Sequence, residues 1–215
     1  IAYGKAKSKE LNPAFLAMQG IFEGSQRLYV YADGEREIID AVNTLKNNGA
    51  KHVVLVGGYH AYKITDFLKQ NDIPVLVQST HNLPGFDDDD YDLPYKLPKL
   101  LVDAGLLVGL QNSDAANFQT RNLPFYAGQV GQQGLDKEKA LQLITGNTAK
   151  ILGIDADYGT LETGKSATLF VSEGDALDMR GNQLTHAFID GRTISLETHQ
   201  TELWKRYSEK YEGKK

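Results

Sequence analysis

Two textures of apolar and polar positions follow one another along this chain. Val53-Val-Leu-Val56 and Pro74-Val-Leu-Val77 are continuously apolar, as strands buried on both faces should be. Arg27-Leu-Tyr-Val-Tyr-Ala32 and Leu106-Leu-Val-Gly-Leu110 complete a set of four short β-rich runs. Helically spaced stretches separate them. Gly34 to Gly49 carries Ile38, Ile39, Ala41, Val42 and Leu45, and Ala61 to Gln70 carries Ile64, Phe67 and Leu68 on one side. Further helices are predicted over Lys96 to Ala104, Arg121 to Gln133 and Asp136 to Leu152. Buried strands alternating with helices predict parallel β/α units.

After Gly153 the pattern shortens. Strands are predicted at Ala167 to Ser172, His186 to Ile189 and Arg192 to Ser195, then an amphipathic helix over Thr198 to Tyr211 with Leu203, Trp204 and Tyr207 on one face. The predicted division is therefore residues 1–153, a β/α domain, and residues 154–215, small strands with a closing helix.

Charge and composition narrow the function classes. The net charge is -5, from 23 basic and 28 acidic residues, which argues against a nucleic-acid surface. No run approaches the roughly 18 apolar residues of a membrane span. The chain has no cysteine, which excludes disulfides and thiolate ligands. It begins Ile1-Ala-Tyr-Gly, read as a processed or truncated start, so a soluble protein of cytoplasm or periplasm is expected with the compartment left open.

The segment from Asn82 to Pro94 is long for a strand-to-helix connection and carries Asp87 to Asp90. Its run of carboxylates has the oxygen chemistry of a calcium site but lacks the spacing and glycine of a calcium-binding hand. A solvated acidic loop is the expectation.

Chemistry in folds built from parallel β/α units sits at the C-terminal ends of the strands. Here those ends are Tyr31-Ala-Asp33, Gly57-Gly-Tyr59-His60, Ser79-Thr-His81 and Gln111-Asn-Ser-Asp114. Tyr31 and Tyr59, with Tyr29, would line the ends with aromatic surface suited to a flat or apolar small-molecule substrate. Arg121 is suited either to clamp a substrate carboxylate bidentately or to pair with an acidic loop residue.

Ala140-Leu-Gln-Leu-Ile-Thr-Gly-Asn-Thr-Ala-Lys-Ile-Leu-Gly153, followed by Tyr158-Gly-Thr-Leu-Glu-Thr-Gly-Lys-Ser-Ala-Thr-Leu-Phe170, resembles the C-terminal signature of the metal-dependent amidohydrolases, in their imidazolonepropionase-like branch. The resemblance implies the C-terminal half of a TIM-like (β/α)8 barrel, strands five to eight with their helices, followed by a few strands of a small β-sandwich and a C-terminal helix. Asn112-Ser-Asp-Ala-Ala-Asn and Arg121-Asn-Leu-Pro resemble the family's strand-eight loop, which puts Asp114 on the aspartate that binds metal and moves the proton. The implied reaction is hydrolysis of a non-peptide carbon–nitrogen bond, often in a cyclic amide, with a divalent metal, zinc foremost, in an intact relative.

Two departures qualify it. Tyr31 and Gly57 stand where the family's strand-five and strand-six histidines belong, and neither suits zinc. His60 and His81 are the replacement candidates, which with Asp114 would make part of a relocated metal site; the alternative is that no metal binds here. Four β/α units leave open sheet edges, so the expected partner is the missing N-terminal half of the barrel or another copy of the chain. The chain alone is expected to be catalytically incomplete. The competing reading is a non-catalytic module of the same fold that binds a small molecule or a protein.

Overall fold

Four parallel strands lie side by side in the order in which the chain makes them. β1 (Arg27–Ala32), β2 (His52–Gly57), β3 (Val75–Val77) and β4 (Val108–Leu110) form one sheet ordered β1-β2-β3-β4. Among the described residues the order never reverses, so the sheet they form lacks the switch point of a doubly wound fold. The computed structural model describes residues 12–78, 80–112 and 117–212. The chain divides into two units, one ending at Thr160 and one beginning at Leu161.

Register places Tyr31 beside Val56, Val56 beside Leu76 and Leu76 beside Gly109, one row on one face of the sheet. β2, β3 and β4 are buried on both faces apart from His52, as their apolar runs predict. β1 is different: Tyr29 is 37% exposed and Tyr31 58%, because β1 is an edge strand with a neighbour on one side only. On the opposite face a side chain at Gly58 would meet Leu55, Val75 and Ala61.

The first helical prediction is met by the helix Glu35–Asn47, whose buried residues are Ile38 and Val42. Glu37 reaches back over its start, Oε2 accepting from the backbone N–H groups of Asp33 and Gly34. The stretch from Ala61 begins instead as a 3₁₀ turn, Ala61–Lys63, and only Thr65–Gln70 is α-helical. Likewise a 3₁₀ segment, Asn117–Asn122, precedes the helix Leu123–Gln132, whose start holds a proline that suits a first turn. The helix Leu93–Asp103 starts before the predicted Lys96, again with Pro94 in its first turn. Two short helices, Pro13–Ala17 and Gln19–Glu23, were not anticipated; Asn12 Oδ1 caps the first.

The predicted helix over Asp136 to Leu152 is two helices, Lys137–Gln142 and Gly146–Leu152. Between them the chain serves the outer edge of the sheet. Leu110 N–H donates to the Leu143 carbonyl at 3.0 Å, and Asn147 Nδ2 donates to the Val108 carbonyl at 3.0 Å. Thr148 Oγ1 also donates to that Leu143 carbonyl, and Thr145 Oγ1 to Leu141 O. An unbroken helix would keep the Leu143 carbonyl for its own ladder. Gly146–Leu152 then packs on the sheet: Ile151, 1% exposed, clusters with Val54, Val56 and Leu76. Gly109 permits the approach, since a Cβ there would lie 2.9 Å from both Leu76 Cδ2 and Thr148 Oγ1.

The second unit holds a three-stranded antiparallel sheet, β5 (Leu169–Ser172), β6 (Leu184–Ile189) and β7 (Arg192–Thr193), and the helix His199–Glu212. β6 begins two residues earlier than predicted, and a bulge at Val171/Ser172 takes up the irregular register.

Candidate active site

Beyond the C-terminal ends of β1 and β2 the backbone turns on two consecutive left-handed glycines, Gly57 at φ +90° and Gly58 at φ +70°. Asp33 occupies the space that Gly57 leaves. A Cβ at Gly57 would fall 2.6 Å from Asp33 Oδ1, and that oxygen accepts the Tyr59 backbone N–H at 3.1 Å. The Asp33 backbone carbonyl accepts from His60 N–H at 2.9 Å. Asp33 thus fixes the loop that presents Tyr59 and His60; the sequence reading places it at a strand end but gives it no role, because a lone aspartate after a strand looks like an ordinary turn residue.

Tyr59 and His60 meet the acidic loop from the other side. Tyr59 Oη donates to Asp89 Oδ2 at 2.9 Å and accepts the Gly85 N–H at 2.9 Å; Phe86 N–H donates to the same Asp89 oxygen at 3.1 Å. His60 Nε2 stands 3.9 Å from Asp89 Oδ1, and its ring stacks on Phe86 at 5.2 Å and 23°. The Asp89 side chain is only 8% exposed. The expected solvated acidic loop holds for Asp87, Asp88 and Asp90, which are exposed, whereas Asp89 is turned inward because a phenol and a backbone N–H satisfy it there. Lys96 holds the far end of the loop, 2.6 Å from Asp90 and 2.8 Å from Asp92, and these hydrogen-bonded carboxylates push its ammonium well above the usual lysine range. Burial raises the Tyr59 phenol above its ordinary value; the Gly85 N–H opposes this, and the Asp89 carboxylate adds to it.

These residues line a cavity of about 390 Å³ with Asp33, Gly57, Tyr59 and His60 on one wall and Leu83, Phe86, Pro94 and Leu97 on another. Its lining mixes apolar surface with a few polar groups.

The other candidates lie elsewhere. Tyr31 is on the sheet face that carries Val56 and Leu76, and it is not among the lining residues. His81 meets Tyr95 and Tyr126 edge-on, at 6.0 and 6.3 Å, away from His60. Close by in sequence, Thr80, 1% exposed, bonds Gln129 at 3.3 Å. Arg121 is exposed at the end of its 3₁₀ segment. Asp114 and Ser113 lie outside the described residues. Just before them, Asn112 Nδ2 is buried with no acceptor among the described residues.

Among the described residues no three of histidine, aspartate and glutamate converge as metal ligands. His60 with Asp89 is a single pair, already engaged by Phe86 and Tyr59, and His81 is boxed by tyrosines. The described residues therefore do not by themselves fit the metal that the family resemblance implies. No helix among the described residues is long and apolar enough to cross a membrane.

Comparison with known proteins places this geometry. Residues 110–194 match the model of the amidohydrolase family. No curated protein matches the chain. Among solved structures, an amidohydrolase from Thermotoga maritima is 25% identical with a TM-score of 0.74, over 90% of this chain and 50% of that one. An Xaa-Pro dipeptidase with bound methionine shares the fold at 16% identity and a TM-score of 0.61, over 84% of this chain and 47% of its own. An adenosine deaminase from Xanthomonas campestris with bound zinc does so at 16% and 0.55, over 90% and 52%. The chain spans about half the length of these structures. The segment from β4 to β7 thus matches the amidohydrolase family model, and the chain as a whole is similar in fold to half of the Thermotoga amidohydrolase.

Proposed function

We propose that this chain is the C-terminal part of an amidohydrolase-like hydrolase that cleaves non-peptide carbon–nitrogen bonds, cyclic amides in particular. The match of residues 110–194 to the amidohydrolase family carries this reading, because that span holds Asp114 and the segment leading from β4 into the second unit. In this reading residues 1–153 supply strands five to eight of a barrel and residues 154–215 part of a small sandwich. The cavity at the strand ends, apolar on the Phe86 side and hydrogen-bonding on the Asp33 and Tyr59 side, supports a small flat substrate.

Asp114 is the proton carrier in this proposal. Its carboxylate takes a proton from the attacking water as the water oxygen bonds the carbonyl carbon, then delivers it to the leaving nitrogen as the C–N bond breaks. No step is assigned to a metal, since the described residues do not gather its ligands. The rest of the machinery belongs to the barrel's other half or to a second copy. β1 offers the open edge for that partner, whereas β4 has its outer edge hydrogen-bonded by Leu143 and Asn147.

One observation favours a second reading, a non-catalytic module that binds a small molecule at the same cavity. Asp33 fills the space at Gly57, where the resemblance expects a ligating histidine. Hydrolysis of a panel of cyclic amides by the protein carrying its upstream barrel half decides between them. The hydrolase reading expects turnover that falls at least 100-fold in Asp114→Ala, the scale of a lost general acid–base. Turnover indifferent to that change removes Asp114 from the mechanism; ligand binding without turnover establishes the second reading.

A further inference from the structure

The N-terminal end of the parallel sheet carries a second cavity, of about 680 Å³, that the hydrolase reading does not use. Its floor is apolar, formed by Val54, Leu68, Ile73, Leu107 and Ile151. Its rim is basic: Arg27, Lys46, Lys51, Lys69 and Lys150 line it, against the single carboxylate of Asp72. No ion pair holds any of these five cations among the described residues, although the chain as a whole carries a net charge of -5. Like charges gathered around one concave site raise the local positive potential, which favours binding of an anion there.

Parts of the rim are fixed. Arg27 opens β1, and its guanidinium lies over Gly153, where any side chain would collide with it. Gly153 is the left-handed cap of Gly146–Leu152, so Arg27 stands at the negative end of a helix. Lys46 Nζ donates to the Lys51 carbonyl at 3.4 Å, joining the end of one helix to the start of β2. Pro74 and Gly105 continue the lining ahead of β3 and β4. Arg27 and His52 begin their strands while Ala32 and Gly57 end them, so six-residue strands put the two cavities roughly 17 Å apart.

We propose that this basic cavity binds a small multivalent anion, of the polyphosphate or polycarboxylate class, at a site separate from the cavity at the strand C-termini. The proposal does not depend on catalysis. Several cations around one concave site favour multivalent over monovalent anions, and the interaction is screened by salt.

Isothermal titration of the 215-residue chain with tripolyphosphate, then with citrate, tests it, with acetate as the monovalent control. The expected result is saturable one-to-one binding of at least one multivalent anion, weakened by added sodium chloride and at least 10-fold weaker in Lys51→Gln/Lys69→Gln/Lys150→Gln. Which anion binds more tightly distinguishes a phosphate site from a carboxylate site. Arg206→Gln/Lys210→Gln, which removes two charges that do not line the cavity, should leave binding unchanged. Each altered position is exposed, and circular dichroism of every variant checks its fold. The proposal is overturned if neither multivalent anion saturates in the low millimolar range, or if the two charge variants weaken binding equally. Should the triple variant not fold, Lys150→Gln alone must still weaken binding measurably, and an unchanged affinity there also overturns it.

Discussion

Tyr59 and Asp89, 30 residues apart, are joined by a 2.9 Å hydrogen bond that ties the acidic loop to the end of β2. The same Asp89 oxygen accepts from Phe86 N–H, and the same phenol oxygen accepts from Gly85 N–H. These four groups satisfy one another. The loop is therefore an ordered wall of the strand-end cavity, although most of its aspartates face water.

Removing that carboxylate should undo the wall. Asp89→Ala leaves the Tyr59 hydroxyl and the Phe86 N–H without an acceptor, which costs about 1–3 kcal/mol when such groups stay buried. The urea midpoint should fall accordingly, and limited proteolysis should begin within residues 82–92. Resistance to cleavage equal to that of the parent would show that Asp89 does not hold the loop.

The same contact gives a pH dependence at the alkaline end. Burial and Asp89 hold the folded Tyr59 phenol above its ordinary value, so the unfolded state loses its proton first. Stability from this group is complete below about pH 10, the ordinary tyrosine value, and is lost as pH rises toward the folded value. Stability measured between pH 9 and 11 should decline less steeply in Tyr59→Phe. Equal slopes would mean the phenol does not titrate differently in the two states.

Placing at the end of β2 the histidine that the amidohydrolase resemblance expects should fail on steric grounds. Gly57→His places a side chain at φ +90° and 2.6 Å from Asp33 Oδ1, and backbone strain of this kind costs on the order of 1–3 kcal/mol. Adding Asp33→Gly should recover only the part due to the collision, leaving the dihedral cost. Full recovery of the urea midpoint in the double variant would contradict the strain argument.

Two contacts of the Gly146–Leu152 helix make separable predictions. Ile151→Ala empties a site against Val54, Val56 and Leu76 and should cost about 2–5 kcal/mol, read as a drop in thermal and urea midpoints. Asn147→Ala removes the donor to Val108 O and should cost about 1 kcal/mol. It also bares part of the β4 edge, so sedimentation velocity should show more self-association than in the parent. A variant as monomeric as its parent would count against that edge being protected by Asn147.

The pattern of apolar positions was enough to locate all four parallel strands to within two residues at either end, because continuous apolar runs have few other uses in a soluble chain. The sequence also carried the likeness to the amidohydrolases, through residues 140–170, which fall inside the span that matches the family model, since glycine stops and the helix–turn–strand order are local properties. It singled out Tyr59 and His60 by their place after β2. Tertiary structure alone decided what they touch. Asp89 looked like one more solvated aspartate until the fold brought a phenol and an imidazole to it, and Asp33 became structural only because Gly57 left room. The helix from Asp136 splits for the same kind of reason: the Leu143 carbonyl is claimed by Leu110, a partner no local periodicity reveals. Period and propensity are properties of neighbours in sequence. Hydrogen-bond partners, burial of one aspartate among five, and the gathering of five cations around one cavity depend on residues that meet only after the chain has folded.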